Sequence, residues 1–317
     1  MRHPTHLAGL VAAALLTAVT AVPTAHATPD DVVAHQVATT AQEQQAIRDY
    51  WTPERIAALP TIPPSGKPPV DGPDGSGWYG GGDVTKTVGR LFFTEQGEDA
   101  SCTATIVRSA NGNTAVTGGH CVHNFNLIGE DPHWMDNLYF VPGFRDGTMP
   151  HGGFVPRLVI TSRTWVEVPE SSAHDQAFLV LNPGIDGRSA AETVGAGQEI
   201  AFDVPGAREA REFGYPRGAS QPGHQGRPEF TGKRLAQCWG PAVENPGGAG
   251  QFGVPCDMGG GSSGGPRFTG FDVNAGRGTV VGVNTQSFRD GADIRHLGGP
   301  QFSATITRPL YDRASAA

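Results

Sequence analysis

Three short stretches carry a hydroxyl, an imidazole and a carboxylate in settings that could make them reactive. The first is Gly259-Gly260-Gly261-Ser262-Ser263-Gly264-Gly265-Pro266. A nucleophilic serine needs a tight, exposed turn with small neighbours, so that a carbonyl can approach and backbone N–H groups can converge on it; glycine allows both. A phosphate-binding loop would also be glycine-rich, but the lysine of that motif is missing. The second is Thr117-Gly118-Gly119-His120-Cys121-Val122, a histidine held between small residues and a cysteine. Imidazole is the natural base for a serine hydroxyl at neutral pH. The third is Ser172-Ala173-His174-Asp175-Gln176-Ala177-Phe178-Leu179-Val180-Leu181, in which Asp175 enters a strongly apolar run. A carboxylate so close to a core needs a partner, and an imidazole N–H would serve while fixing its tautomer. Singly, each stretch has a plainer reading as a linker, a packed histidine or a strand-end aspartate.

The elements that must position these groups are short. Apolar or alternating runs lie between turn signals at Val88–Phe93, Thr103–Val107, Ala115–Thr117, Phe154–Ile160, Ala177–Leu181, Ile200–Phe202 and Thr279–Val283. Asn111-Gly112 after the second run is a strong hairpin signal. With 45 glycines and 26 prolines in 317 residues, the composition favours turns and strands over long helices. About 230 residues of short strands predict an all-β sandwich or pair of barrels. Only the stretch after Thr305 predicts a short helix near the C-terminus.

Residues 1–27 read as a secretory signal peptide: an apolar run from Leu7 to Val22, then Ala25-His26-Ala27 as cleavage signal. Residues 28–83 do not look like core and read as a pro-segment or N-terminal extension with a Pro/Gly-rich linker. Within it, Thr52-Pro53 predicts an N-cap and first turn for a helix from Pro53 to Leu59. Residues 84–317 form the remaining domain. Secretion makes the four cysteines disulfide candidates with three possible pairings; the sequence-local pairs, Cys102–Cys121 and Cys238–Cys256, are favoured. A zinc site at Cys121 and His123 lacks a usual ligand spacing, and no spacing supports calcium. Acidic residues outnumber basic ones by 31 to 23, with no basic stripe, so nucleic acid is not an expected partner.

The three stretches run in the order His, Asp, Ser, which is that of the chymotrypsin template. Residues 84 to about 312 resemble the trypsin-like (chymotrypsin superfamily) serine peptidases, in particular their secreted bacterial branch. The resemblance rests on Thr-Gly-Gly-His-Cys at 117–121, His-Asp-Gln-Ala-Phe-Leu-Val-Leu at 174–181 and Gly-Ser-Ser-Gly-Gly-Pro at 261–266. Ser101-Cys102-Thr103-Ala104-Thr105-Ile106-Val107 also resembles the family strand whose cysteine bridges to the one after the histidine. The resemblance implies two six-stranded antiparallel β-barrels with the active site in the cleft between them. It implies a secreted serine endopeptidase in which Ser263 attacks the scissile carbonyl, His120 takes and returns the proton, and Asp175 orients His120. The N–H groups of Gly261 and Ser263 match the oxyanion hole. Polypeptides are the implied substrates, with no cofactor, no metal, no membrane after signal removal, and a monomeric state.

The match is not complete. Ser262 stands where animal members of the family place an aspartate that pairs with a new N-terminal ammonium on activation, so that route is closed. Gly118 and Gly119 stand where alanines are common. Asp257 lies six residues before Ser263, an offset that implies a pocket for Lys or Arg, but Cys256 beside it marks a loop built differently. Val280–Ser287 resembles the edge that pairs with substrate, which implies Thr285 or Ser287 as pocket residues, with His296 within possible reach. Two competing classes share the features: a non-enzymatic homologue that keeps the fold, against which all three groups are present, and an acyl hydrolase, against which the β-rich pattern and chain order count.

Overall fold

Alternation along the strands decides which side chains meet. The computed structural model describes residues 1, 31–61, 74–124, 131–169, 171–220 and 227–317. The expected signal peptide, apart from Met1, and much of the expected linker lie outside the described residues. In Glu98–Ile106, Cys102, Ala104 and Ile106 join one apolar cluster with Leu91, Phe140, Val159, Leu179 and Leu181. Thr103 and Thr105 point the other way and are equally buried, because successive side chains face opposite sides of a sheet.

Seven strands form the N-terminal sheet, in the order Val32–Gln36, Pro156–Ser162, Ala177–Leu181, Thr114–Thr117, Glu98–Ile106, Val88–Glu95, Asp136–Pro142, all antiparallel. A bridge between Phe140 and Phe154 brings the last strand back toward Pro156–Ser162 and curls the sheet into a barrel. The second barrel uses two sheets. One runs Glu199–Ile200, Arg277–Val283, Pro266–Asp272, Glu209–Gly214, Ala236–Pro241, Ser76–Gly77; the other runs Val243–Asn245, Gly248–Pro255, Arg295–Pro300, Gln286–Arg289. A bridge between Gly282 and Gln301 joins them. This is the expected all-β double barrel, but neither half is a plain six-stranded antiparallel sheet: the first has seven strands, and the second has six and four in two sheets, with Glu199–Ile200 running parallel to Arg277–Val283. The helix Thr307–Ala316 lies over the outer face of the first barrel, where Tyr311 meets the Phe178 ring at 5.9 Å. Among the described residues no helix is long and apolar enough to cross a membrane.

The expectation that the segment before residue 84 lies outside the core is corrected. Val32–Gln36 pairs with Pro156–Ser162 over five residues. A capping box of Thr40 and Glu43 starts the helix Ala41–Tyr50. Pro53–Ala57 follows, with Thr52 accepting from Arg55 N as its N-cap. Ile47, Trp51, Ile56 and Leu59 are all buried in the main apolar cluster. The Trp51 ring sits 5.4 Å from Phe92, and its Nε1–H donates to Asn137 O at 2.6 Å. Four apolar side chains scattered among Gln, Glu and Arg are too sparse to read as a core face, yet each finds a slot. Further on, Ser76–Gly77 pairs with Ala236–Gln237, so residues before 84 belong to both barrels.

Candidate active site

The Thr114–Thr117 strand ends in a tight turn, Gly119–Cys121. A Cβ on Gly119 would lie 2.9 Å from the Trp165 ring, so glycine is required by close approach. Cys121 is bonded to Cys102, which fixes the turn to the neighbouring strand. The histidine between them is held from two sides. Its backbone N–H donates to Asp175 Oδ1 at 2.9 Å, and its Nδ1 lies 2.9 Å from Asp175 Oδ2 and 3.1 Å from Oδ1.

Asp175 closes the short turn Ser172–His174 just before the Ala177–Leu181 strand and is 8 % exposed. A carboxylate only accepts, so the His120 proton sits on Nδ1 and the Nε2 lone pair is left for other work. Burial opposes charge on the ring, but the Asp175 charge and hydrogen bond, with Glu95 beyond, outweigh it and raise the His120 pKa above its ordinary value. Behind it, burial together with His133 and His35 pushes His123 down to about 4, which leaves that ring neutral.

Ser263 is half-buried on a glycine-rich loop. Gly264 has φ +77°, and a Cβ there would lie 2.1 Å from Thr117 Oγ1 and 2.8 Å from Gly118 N. The loop therefore packs directly on the residues that lead into His120. Gly261 has φ +100°. The Gly260 carbonyl is taken by Arg217 N–H at 2.7 Å, while no described residue accepts from the N–H of Gly261 or Ser263. Ser262 donates to Gly259 O at 2.6 Å, which closes this turn without the ion pair its position holds in animal enzymes.

One residue that the sequence reading did not single out joins the two halves. Thr103 N–H donates to Ser263 O at 2.7 Å. Its hydroxyl donates to Gly261 O at 2.8 Å and accepts from Tyr215 N at 3.0 Å. Its carbonyl accepts from Thr117 Oγ1 at 2.8 Å. The signal was present in the strand motif 101–107, but Thr105 has the same character there and only the fold separates them.

The expected pocket residues are placed less simply. Asp257 is fully buried. Its carboxylate accepts from Ser220 Oγ at 3.3 Å and lies 3.6 Å from Arg227 Nη1. Arg227 is itself buried, pairs with Glu229 and covers the Phe230 ring at 4.3 Å. Thr285 N–H donates to Gly298 O at 2.7 Å, and Ser287 pairs with Leu297 on the edge hairpin. His296 is 1 % exposed, bonded through Nδ1 to Ile294 O at 2.9 Å and stacked on Phe288. Thr285 and Ser287 thus share the edge, while Asp257 is engaged with Ser220 and Arg227. The two expected disulfides, Cys102–Cys121 and Cys238–Cys256, are present. Cys102, His120 and Cys121 come close enough to suggest a metal site, but both sulfurs are in the disulfide and offer no thiolate.

No protein-family model matches the chain, and no curated protein does. Solved structures do match. A thermostable serine protease, AL20, from an extremophilic microorganism is 31 % identical, with 74 % of this chain and 99 % of that chain covered and a TM-score of 0.63. The protease Anisep from Arthrobacter nicotinovorans is 28 % identical, with 77 % and 100 % covered and a TM-score of 0.62. A Glu endopeptidase solved in complex with MPD is 19 % identical over 78 % of this chain and 99 % of its own, with a TM-score of 0.57, a likeness of fold alone.

Proposed function

The chain belongs to the trypsin-like serine peptidases, and from that premise we propose that it is a secreted serine endopeptidase with Ser263, His120 and Asp175 as its catalytic groups. One observation supports this above the others: Asp175 holds His120 by Nδ1 and leaves Nε2 as a base, in a barrel that Thr103 ties to the Ser263 loop. His120 Nε2 takes the Ser263 proton as Oγ attacks the scissile carbonyl. The oxyanion develops toward the N–H groups of Gly261 and Ser263. His120 then gives the proton to the leaving amine, and water repeats the sequence to release the acyl group. Asp175 stabilises the imidazolium in between.

The disulfides and the cleavage signal near residue 27 support secretion. Residues 28–83 would then be the N-terminal extension of the secreted chain, docked through Trp51 and the 32–36 strand. Because Asp257 is already engaged by Ser220 and Arg227, we expect no preference for cutting after Lys or Arg.

Digestion of a diverse peptide library, read by mass spectrometry against a Ser263→Ala control, tests the proposal. Cuts made only by the unaltered protein establish the activity. Equal cleavage by the control removes Ser263 as nucleophile. No cuts by a protein lacking residues 1–27 favours the non-enzymatic homologue. A cluster of cuts after basic residues would return Asp257 to the role of selector.

A further inference from the structure

Two arginines meet beside the Ser263 loop, and among the described residues no carboxylate pairs with either. Arg90, on the Val88–Glu95 strand, is 2 % exposed. Arg217 follows the Glu209–Gly214 strand. A Cβ on Gly232 would lie 3.3 Å from Arg90 Nη2 and 3.1 Å from Arg217 Cγ, so the side chains run close together. Arg90 donates from Nη2 to Ser101 Oγ at 2.7 Å and faces the Phe92 and Phe144 rings. Arg217 donates from Nη1 to Pro60 O at a long 3.4 Å. The Nε of each is buried with no acceptor among the described residues. No ion pair among the described residues reaches either guanidinium, although buried arginines elsewhere in the chain, Arg227 and Arg267, each face a carboxylate. Burial first, and then the charge of Arg217, push Arg90 down to about 9, against a smaller pull from Tyr215.

Their position relates them to the Ser263 loop. Arg217 N–H holds Gly260 O, and a Cβ on Gly260 would lie 3.8 Å from Arg217 Nη2. The guanidinium therefore lies along the Gly260–Gly261 flank of the Ser263 loop. On the opposite flank, Gly264 N–H donates to Asn284 O, and Asn284 leads into the 285–287 edge. A peptide whose acyl half lies along that edge leaves Ser263 past Arg217.

We propose that Arg217, backed by Arg90, forms a carboxylate subsite that reads an aspartate or glutamate one or two residues after the scissile bond. The carboxylate replaces a long bond to a neutral carbonyl with charge-assisted bonds to a fork of N–H groups. This inference rests on the peptidase reading above.

The test uses peptides identical except for Asp, Ser or Lys at the two positions after the cut. Acidic peptides should be cleaved with roughly tenfold higher kcat/KM than the serine peptide, and lysine peptides more slowly than either. Arg217→Gln should bring the Asp-to-Ser ratio near one, Arg217→Lys should restore part of it, and raised salt should shrink it. The main-chain bond from residue 217 to Gly260 survives both substitutions, so the ratio reports the side chain. Binding of the same peptides to the Ser263→Ala protein, with and without Arg217→Gln, gives the same comparison without turnover. Equal Asp and Ser values in both assays overturn the subsite even where cleavage is efficient. Equal loss on Asp and Ser peptides in Arg217→Gln also overturns it, since a structural role alone would do that. A protein that cleaves nothing yet binds acidic peptides more tightly through Arg217 keeps the subsite and loses the peptidase reading.

Discussion

The first barrel buries little besides hydrocarbon, where the second buries hydrocarbon together with a set of ionisable groups. Leu91, Ile106, Phe140, Val159 and Leu179 fill the first barrel with no exposed surface, and the arginine buried there, Arg90, belongs to the arginine pair beside the Ser263 loop. The second barrel encloses Glu212, Arg267, Arg227, Glu229 and Asp257. Arg267 donates to Gly299 O, Pro300 O and Gln301 Oε1, and Glu212 lies 3.8 Å from its Nη1. The difference follows from what each half must hold. His120 and Asp175 form a pair whose bond strengthens in dry, rigid surroundings, and close-packed apolar side chains provide both. The Ser263 half has an apolar core of its own, Phe213, Phe268, Val280 and Phe302 among it, but sets its serine on a glycine-rich loop. There, buried Arg267 gathers carbonyls at the end of the Arg295–Pro300 strand, and Arg227 takes that of Gly75.

Breaking the dry pair should have the largest effect. Asp175→Asn keeps the shape but puts an N–H where His120 needs an acceptor, so turnover should fall by about four orders of magnitude with little change in folding. A near-normal rate would mean that some other carboxylate orients His120. The same pair sets the pH profile. The base works when neutral, and its pKa is raised, so activity should rise with pH through a midpoint above the ordinary 6.5. A rate flat from roughly pH 5 to 8 would contradict a histidine base.

Cutting the tie between the barrels should cost less. Thr103→Val preserves volume but leaves Tyr215 N–H and Gly261 O without their hydroxyl partner. Two buried groups lose their bonds, so stability should drop by about 2 kcal/mol and kcat by roughly tenfold or more. Thr103→Ser should restore both. Loss of stability with kcat intact would show that the tie serves the fold and not the alignment of the site.

What could be read in advance follows the same division. The stretches that carry His120, Asp175 and Ser263 stand out because each group and its local surroundings sit within a few residues, and Gly264 lies too close to Thr117 and Thr103 to take a side chain. Strands such as Ala177–Leu181 were legible from their apolar runs. Thr103 was not, because its partners lie more than a hundred residues away at 215 and 261. Nor was the docking of Ile47, Trp51, Ile56 and Leu59, whose slots are made by other strands. Asp257 has a selector's offset from Ser263, and its carboxylate also lies 3.6 Å from Arg227 Nη1, thirty residues earlier in the chain, a pairing that no local spacing announces. Glu212 is hidden for a similar reason, since its strand neighbours read as an ordinary alternation and only Arg267 accounts for burying it.

The smallest expected effect lies in the charged core itself. Burial pushes the Glu212 carboxyl up from 4.5 to about 8, against the pull of Arg267. Between those values the folded protein holds a proton that the unfolded chain has released, so stability should decline as pH rises across that window. Glu212→Gln stays neutral throughout and leaves Arg267 its carbonyl acceptors. Melting temperatures of the two proteins should therefore coincide near pH 4.5 and separate by a few degrees near pH 8 in favour of glutamine. If the glutamine protein is instead the less stable at the alkaline end, Glu212 is held ionised by Arg267, and the second barrel is stabilised by its charge pair as the first is by its hydrocarbon.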